Sequence, residues 1–383
     1  MPVQPGPRTG QSRRDRLAKC DTGDTGRQGM AAAGLGQVLH VGAIYAGALA
    51  FGLVGDWINL PLPWLIGSLV FATTLRLMDL PVRVPQVTRP VGQVLIAASV
   101  GLAFTPEAVA ALGDLLIPMV AVAVLTVAAG FATALVMMRL SGVGALQAVL
   151  ASVPMGPVEA ANLAQRYGVD RAPVIFGQTL RIVALVAIIP PLLVALDGSI
   201  RDPQLVLRTA PWSVTGAALM VLCALGGALL ARRLRISNPF FVGALAGAAG
   251  AAALSLPVTA LPFPLLVAAQ TFLGVWLGAV FDRQLVRRSA GFIRAAFVCT
   301  GLMIVLCAAL GFALVPFTGL SWEVMILATA PGSVTEMALT AKILQDGVAV
   351  VTAFHLVRIF LILPFAPLIA RLAARMSHHE TPR

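Results

Sequence analysis

The apolar residues of this chain fall in long runs rather than in stripes. Leu116–Met138 carries no charged residue, and neither does Ala295–Phe317. A helix needs about 20 such residues to cross the hydrocarbon core of a bilayer. A helix that is apolar all round is buried in lipid or protein rather than lying on a soluble surface. The pattern therefore predicts an all-α polytopic membrane protein. Spanning candidates lie at about 37–54, 62–78, 91–107 and 115–139, and again at about 211–231, 239–257, 264–281 and 291–316. A further candidate closes each set, at about 172–196 and 349–372.

Before the closing helix, each set has an apolar stretch that breaks. Ala145–Val153 stops at Pro154-Met155-Gly156-Pro157, and Met325–Ala330 stops at Pro331-Gly332-Ser333. Proline lacks the N–H donor and clashes with the preceding turn. A second, more polar arm follows each break, carrying Glu159, Asn162 and Gln165 in one case and Glu336, Thr340 and Lys342 in the other. Two half-length arms form either a re-entrant hairpin or one crossing helix with an unwound centre. Such backbone is tolerated at membrane depth only inside protein or beside water.

The two sets are copies of one pattern. Pro63-Trp64-Leu65-Ile66-Gly67 recurs as Pro239-Phe240-Phe241-Val242-Gly243, and Gln93, Gly101 and Phe104 recur as Gln270, Gly278 and Phe281. Ala151, Pro154, Glu159 and Ala161 recur as Ala328, Pro331, Glu336 and Ala338, and Arg181 and Pro190 as Arg358 and Pro367, at a near-constant offset. Internal repeats of this kind define the architecture. The expected organisation is a basic, disordered tail at 1–34, a membrane repeat at 35–197, a linker at 198–210, a second repeat at 211–373 and a tail at 374–383. The first tail lacks the contiguous apolar core of a secretory signal, and Met30 is an alternative start.

Basic residues choose between the two readings of the breaks. Cytoplasmic loops are enriched in Lys and Arg. With five crossings per repeat, a re-entrant broken segment and a cytoplasmic N-terminus, nearly all of the 27 Lys and Arg residues fall inside. Only Arg201, Arg208 and Lys342 fall outside, and Arg181 and Arg358 lie within helices. With six crossings, the groups Arg232–Arg235 and Arg283–Arg294 would lie outside, against that bias. The expectation is therefore an inverted-topology repeat with about ten spanning helices, two re-entrant or broken helices and both termini cytoplasmic in a bacterial inner membrane. The net charge of +11 then reflects topology, and no direct nucleic-acid partner is implied.

Inverted repeats with broken helices meeting near the midplane characterise many secondary transporters. Helix ends there offer unpaired N–H or C=O groups and partial charge in place of hydration. Pro154, Gly156, Pro331, Gly332 and Ser333 form the breaks, and Glu159 and Glu336 stand on the arms after them. Arg181 and Arg358 lie in the closing helices, with Gln178 and His355 one turn earlier on the same face. A carboxylate at this depth binds a cation, carries a proton or neutralises an arginine. The arginines either form structural Glu–Arg pairs or bind an anionic substrate by bidentate contact. Four histidines and four cysteines without ligand spacing indicate no metal site and no cofactor.

At Ala-Ser-Val-Pro-Met-Gly-Pro-Val-Glu (151–159), Gln178-x-x-Arg181, Ala-Pro-Gly-Ser-Val-Thr-Glu (330–336) and His355-x-x-Arg358, the chain resembles the AbrB-type duplicated bacterial inner-membrane family. The resemblance covers about residues 35–375. It implies the labels that members carry, as regulators of gene expression and as ammonia monooxygenases, and a likeness to the cation/proton antiporter and anion transporter superfamily. The preferred expectation is a non-enzyme: a transporter-like carrier of a small solute with H+ or Na+ as coupling ion, working in the lipid bilayer. A membrane sensor that regulates gene expression is the alternative, and a membrane monooxygenase ranks third. Assembly into a homo-oligomer is left open by the sequence.

Overall fold

The computed structural model describes residues 22–197, 202, 204–281, 283, 287 and 289–379. Among these residues every regular element is a helix, and no strand is present. The first group comprises α1 (Thr22–Trp57), α2 (Pro63–Leu77), α3 (Thr88–Gly101), α4 (Pro106–Ala111), α5 (Leu116–Ser141), α6 (Ala145–Ser152), α7 (Pro157–Arg166) and α8 (Arg171–Asp197). A short α9 (Leu205–Thr209) follows. The second group is α10 (Val214–Arg233), α11 (Pro239–Ala253), α12 (Phe263–Gly278), α13 (Ala290–Thr318), α14 (Trp322–Thr329), α15 (Val334–Leu344) and α16 (Val348–His379).

Among the described residues six stretches are long and apolar enough to cross a membrane: Gln37–Trp57, Pro106–Ser141, Arg171–Leu196, Val214–Arg233, Ala290–Thr318 and Val348–Arg375. The chain is thus a multi-pass helical membrane protein. The sequence pattern predicts about ten spans; the other four candidates are shorter helices. α2 and α11 have 15 residues each, α3 has 14 and α12 has 16. At about 1.5 Å per residue these reach roughly 21–24 Å, short of the roughly 30 Å hydrocarbon core. The cause is local. α2 and α11 are cut at their starts by left-handed residues, Leu62 (φ 55°) and Asn238 (φ 51°), each followed by a proline at the first helical position. At the edges, α1 includes residues 22–34 of the expected tail, α9 lies in the expected linker, and α16 runs on to His379. Residues 1–21, 198–201 and 380–383 lie outside the described residues.

Seven helices of the first group have a counterpart of the same order in the second; α4 has none among the described residues. α5 and α13 both end on left-handed glycines, Gly142 (φ 67°) and Gly319 (φ 66°), a C-terminal stop that only glycine makes cheaply. α6 and α14 each have eight residues, and α7 and α15 have ten and eleven. Packing is matched too: α1 lies on α2 as α10 lies on α11, and α2 lies on α12 as α3 lies on α11. α10 and α11 touch backbone to backbone, because a Cβ on Gly227 or Gly243 would strike the other's carbonyl oxygen. Small residues allow that approach where no hydrophobic force between helices exists.

The interior has two principal parts. One core joins α2, α3, α10, α11 and α12 around Leu65, Ile96, Phe241 and Leu245. Others join α5–α8 and α13–α16, around Leu150 and Val174 and around Met325 and Phe354. Ion pairs fix which ends of the helices lie together. Asp56 at the end of α1 pairs with Arg208 on α9, at 2.5 Å. Asp79 past α2 pairs with Arg283 past α12 at 2.7 Å, and Arg76 Nε donates to the Phe281 carbonyl oxygen at 3.0 Å.

Candidate functional site

The breaks predicted from sequence are present and deeply placed. α6 ends at Ser152 and α7 begins at Pro157; α14 ends at Thr329 and α15 begins at Val334. Each break therefore presents the C-terminal end of one short helix and the N-terminal end of another. The last carbonyls of a helix lack partners and carry partial negative charge. Both arginines are spent on these carbonyls.

Arg181, 4% exposed, donates from Nη1 to the Ser152 oxygen at 2.8 Å, from Nε to the Pro331 oxygen at 3.0 Å and from Nη2 to Gln178 Oε1 at 2.6 Å. Gln178 in turn donates from Nε2 to the Leu150 and Val153 oxygens at 2.7 and 2.8 Å. Arg358 donates to the Ala330 and Gly332 oxygens, both at 2.7 Å. His355 is fully buried one turn earlier, its Nδ1 2.9 Å from the Val351 oxygen. Among the described residues no salt bridge joins either arginine to Glu159 or Glu336. The Glu–Arg pairs expected from sequence are replaced by arginine–carbonyl capping. The reason is distance along the arms: the carbonyls end the first arm of each hairpin, and the glutamates start the second. Beside Arg181 lies a cavity of about 10 Å³, room for one water. The Ser152 hydroxyl lining it has no protein partner.

The glutamates serve the opposite helix ends. Gly156 and Ser333 are the N-caps of α7 and α15, so Glu159 and Glu336 hold the third helical position. A carboxylate there reaches back to the cap and complements the positive end of the helix. The Glu159 carboxylate folds against Gly156 and accepts a bond from the Ser237 hydroxyl at 2.5 Å. The Ser333 hydroxyl stands against the Glu336 carboxylate and accepts from Thr335 N at 3.3 Å. Glu336 is 7% exposed, and its Oε2 has no partner.

Three residues that the sequence reading did not single out belong to this region. Arg89, at the start of α3, stacks its guanidinium 3.9 Å from the Trp276 ring centroid. Both Glu159 and Glu336 act on Arg89 electrostatically. Ser237 holds Glu159 from the loop before α11. One signal for Arg89 was available: a cation in the first turn of a helix meets a partial positive charge and needs anionic neighbours. Lys342, read only as a polar residue of the second arm, bonds the Ser99 oxygen and hydroxyl, both at 2.6 Å.

The two hairpins are not equivalent. α15 is buried along almost its whole length and packs on α3. α7 has no comparable packing on α12, and Val158, Asn162, Gln165 and Arg166 are exposed. Matched positions show the contrast: Val158 is 47% exposed where Thr335 is 4% exposed, and Asn162 is exposed where Leu339 is fully buried.

These features define a multi-pass helical membrane protein organised around two interrupted helices whose tips share a buried polar region. A family model described as "Transition state regulatory protein AbrB" matches residues 64–374, and the chain belongs to that family. It is 24% identical over 352 residues to "Uncharacterized protein YhjN" of Bacillus subtilis (strain 168), covering 84% of this chain and 90% of the relative. It is 22% identical over 316 residues to "Putative regulator AbrB" of Escherichia coli (strain K12), covering 82% of this chain and 90% of the relative. No solved structure matches.

Proposed function

We propose that this protein is a secondary carrier of a small solute or ion in the bacterial inner membrane, working by alternating access between two oppositely oriented repeats. The matched element order supports duplication. The Asp56–Arg208 pair supports inversion, because it joins the end of α1 to the approach to α10. The first helix of the second repeat then starts where the first helix of the first repeat ends. With basic loops inside, both termini are cytoplasmic.

The observation that carries the reading is the unequal burial of the two hairpins. In an inverted repeat, two equivalent arms cannot both close on the same central bundle at once if the site is to open to one side. α15 is packed on α3 while the polar face of α7 is exposed; with basic loops inside, α15 is the arm entered from the outer side and α7 the arm entered from the inner side. That is the arrangement of a carrier open to the cytoplasm. Exchanging the roles of α7 and α15 gives the outward-open state.

The test is reconstitution. Protein in liposomes should move a small solute in response to a proton or sodium gradient. A broad solute screen with no flux in intact, oriented protein would defeat the proposal. A second reading, a membrane sensor acting on gene expression, is favoured by the regulator name of the family and of the Escherichia coli relative. Wild-type transcript levels in a deletion strain would remove it.

A further inference from the structure

Among the arginines near the hairpin tips, one is left without an acceptor. Arg181 and Arg358 spend their donors on the carbonyls of the breaks. Arg89 is half-buried, and its guanidinium has no hydrogen-bond acceptor among the described residues. Its plane is held by the Trp276 ring instead. Stacking fixes the orientation of the group while leaving its in-plane N–H fork free. Such a fork matches a carboxylate by two parallel hydrogen bonds.

The surroundings point to the same ligand. α15 packs on α3, the helix that carries Arg89, and the carboxylates Glu159 and Glu336 at the starts of α7 and α15 both act on Arg89 electrostatically; helix N-terminal ends favour negative charge. Each end is occupied by a carboxylate from its own helix, Glu159 or Glu336. Glu336 Oε2 is buried and has no partner. That oxygen is an unfilled position facing either a proton or a donor on a bound molecule. The exposed face of α7 carries the polar Asn162 and Gln165.

We propose that Arg89, braced by Trp276, is the seat for the carboxylate of a small organic anion, and that Glu336 supplies the second contact, to a proton or a hydroxyl or amino donor of that ligand. This rests on the carrier reading and names the substrate class of the same region. Arg89 also offsets the two glutamates: with both ionised they repel an incoming anion, so neutralising Glu336 favours binding. The charged groups that act on one another here are Arg89 on α3, Glu159 on α7 and Glu336 on α15. Lys342 lies farther along α15, bonded to Ser99.

The experiment uses the purified full-length chain in detergent. Binding is read from thermal-unfolding shifts with acetate, lactate and succinate, with their amides as uncharged counterparts, and with choline as a cation. At least one carboxylate should stabilise the protein, and its amide should not. Arg89→Lys should weaken that binding about tenfold through loss of the planar fork, and Arg89→Gln by more. Trp276→Phe keeps an aromatic face and should fall between wild type and Arg89→Lys, which guards against misfolding as the cause. Glu336→Gln should tighten binding. Stabilisation by choline or amides but by no carboxylate overturns the seat, as does carboxylate binding unchanged in Arg89→Gln. Counterflow of the bound carboxylate in liposomes separates the two levels. Binding without flux defeats the carrier and leaves the seat standing. Flux of an uncharged or cationic solute unaffected by Arg89→Gln does the reverse.

Discussion

Arg181 Nε donates to the Pro331 carbonyl oxygen at 3.0 Å, so α8 holds the broken backbone between α14 and α15. Among the described residues the reciprocal bond, from Arg358 to Pro154, is not made; Arg358 donates to Ala330 and Gly332 of its own hairpin. The two breaks are thus linked through one arginine. Removing it orphans the Ser152 and Pro331 oxygens, at about 1–3 kcal/mol for each buried group left unsatisfied. Arg181→Gln should lower the unfolding midpoint in detergent well beyond Arg181→Lys, which keeps the charge but not the three-way geometry. Equal midpoints for Arg181→Gln and wild type would show that this link carries no stability.

The breaks were legible because proline and glycine act locally. Pro154 and Pro331 stop their helices whatever surrounds them, and α6 ends within one residue of where the pattern places it. The partners of the polar residues were not legible. Arg181 and Glu159 look like an ion pair in sequence, yet each serves a different helix end, a choice set by which terminus faces which side chain in three dimensions. Arg89 reads as one more basic loop residue beside Pro90; its stack on Trp276 joins positions far apart in the chain. The lengths of the shorter helices were not legible for a third reason. Apolar windows measure lipid compatibility, whereas the ends of α2 and α11 are set by left-handed residues at Leu62 and Asn238.

If the halves face opposite ways, the Arg232–Ser237 loop and the Arg76–Arg89 loop lie on one side of the membrane. The contact between Ser237 and Glu159 and that between Asp79 and Arg283 fit this. Single cysteines replacing Arg83 and Arg235 should both react with an impermeant maleimide only in inside-out vesicles. Reaction of the two from different sides would remove the inverted topology and the carrier reading with it.

If the proposed alternating access operates, a second contact pair is predictable. Lys342 of α15 now bonds Ser99 of α3. By the repeat, Gln165 matches Lys342 and Trp276 matches Ser99. In the outward-open state Gln165 should approach Trp276. Paired cysteines at 342 and 99, and separately at 165 and 276, should each cross-link with a short bifunctional thiol reagent in membranes, and trapping either pair should stop flux. A 165–276 pair that never cross-links under any gradient would mean that α7 does not close.

The exposed Asp56–Arg208 pair should matter little for stability despite its role in reading the orientation of α10. Its arginine is 38% exposed and its aspartate 21%. Exposed pairs are worth about 0–1 kcal/mol and weaken with salt. Asp56→Asn should leave the unfolding midpoint nearly unchanged at high salt. A large loss there would mean that the linker end is packed more tightly than its exposure indicates.

The two break glycines should respond differently to the same change. A Cβ on Gly156 would run into Glu159 Oε2, whereas a Cβ on Gly332 would meet Leu185 and Met337 at ordinary contact, 3.4 Å. The Glu159 carboxylate is the end of a flexible side chain, so Gly156→Ala should fold by swinging it away. The swing breaks the Ser237 bond and uncovers the start of α7. Gly156→Ala should therefore impair flux while lowering the unfolding free energy by no more than about 1 kcal/mol, the scale of one lost cap. Gly332→Ala should alter neither by much. If the carboxylate of Glu159 has no part in transport, both alanine variants will carry solute at the wild-type rate.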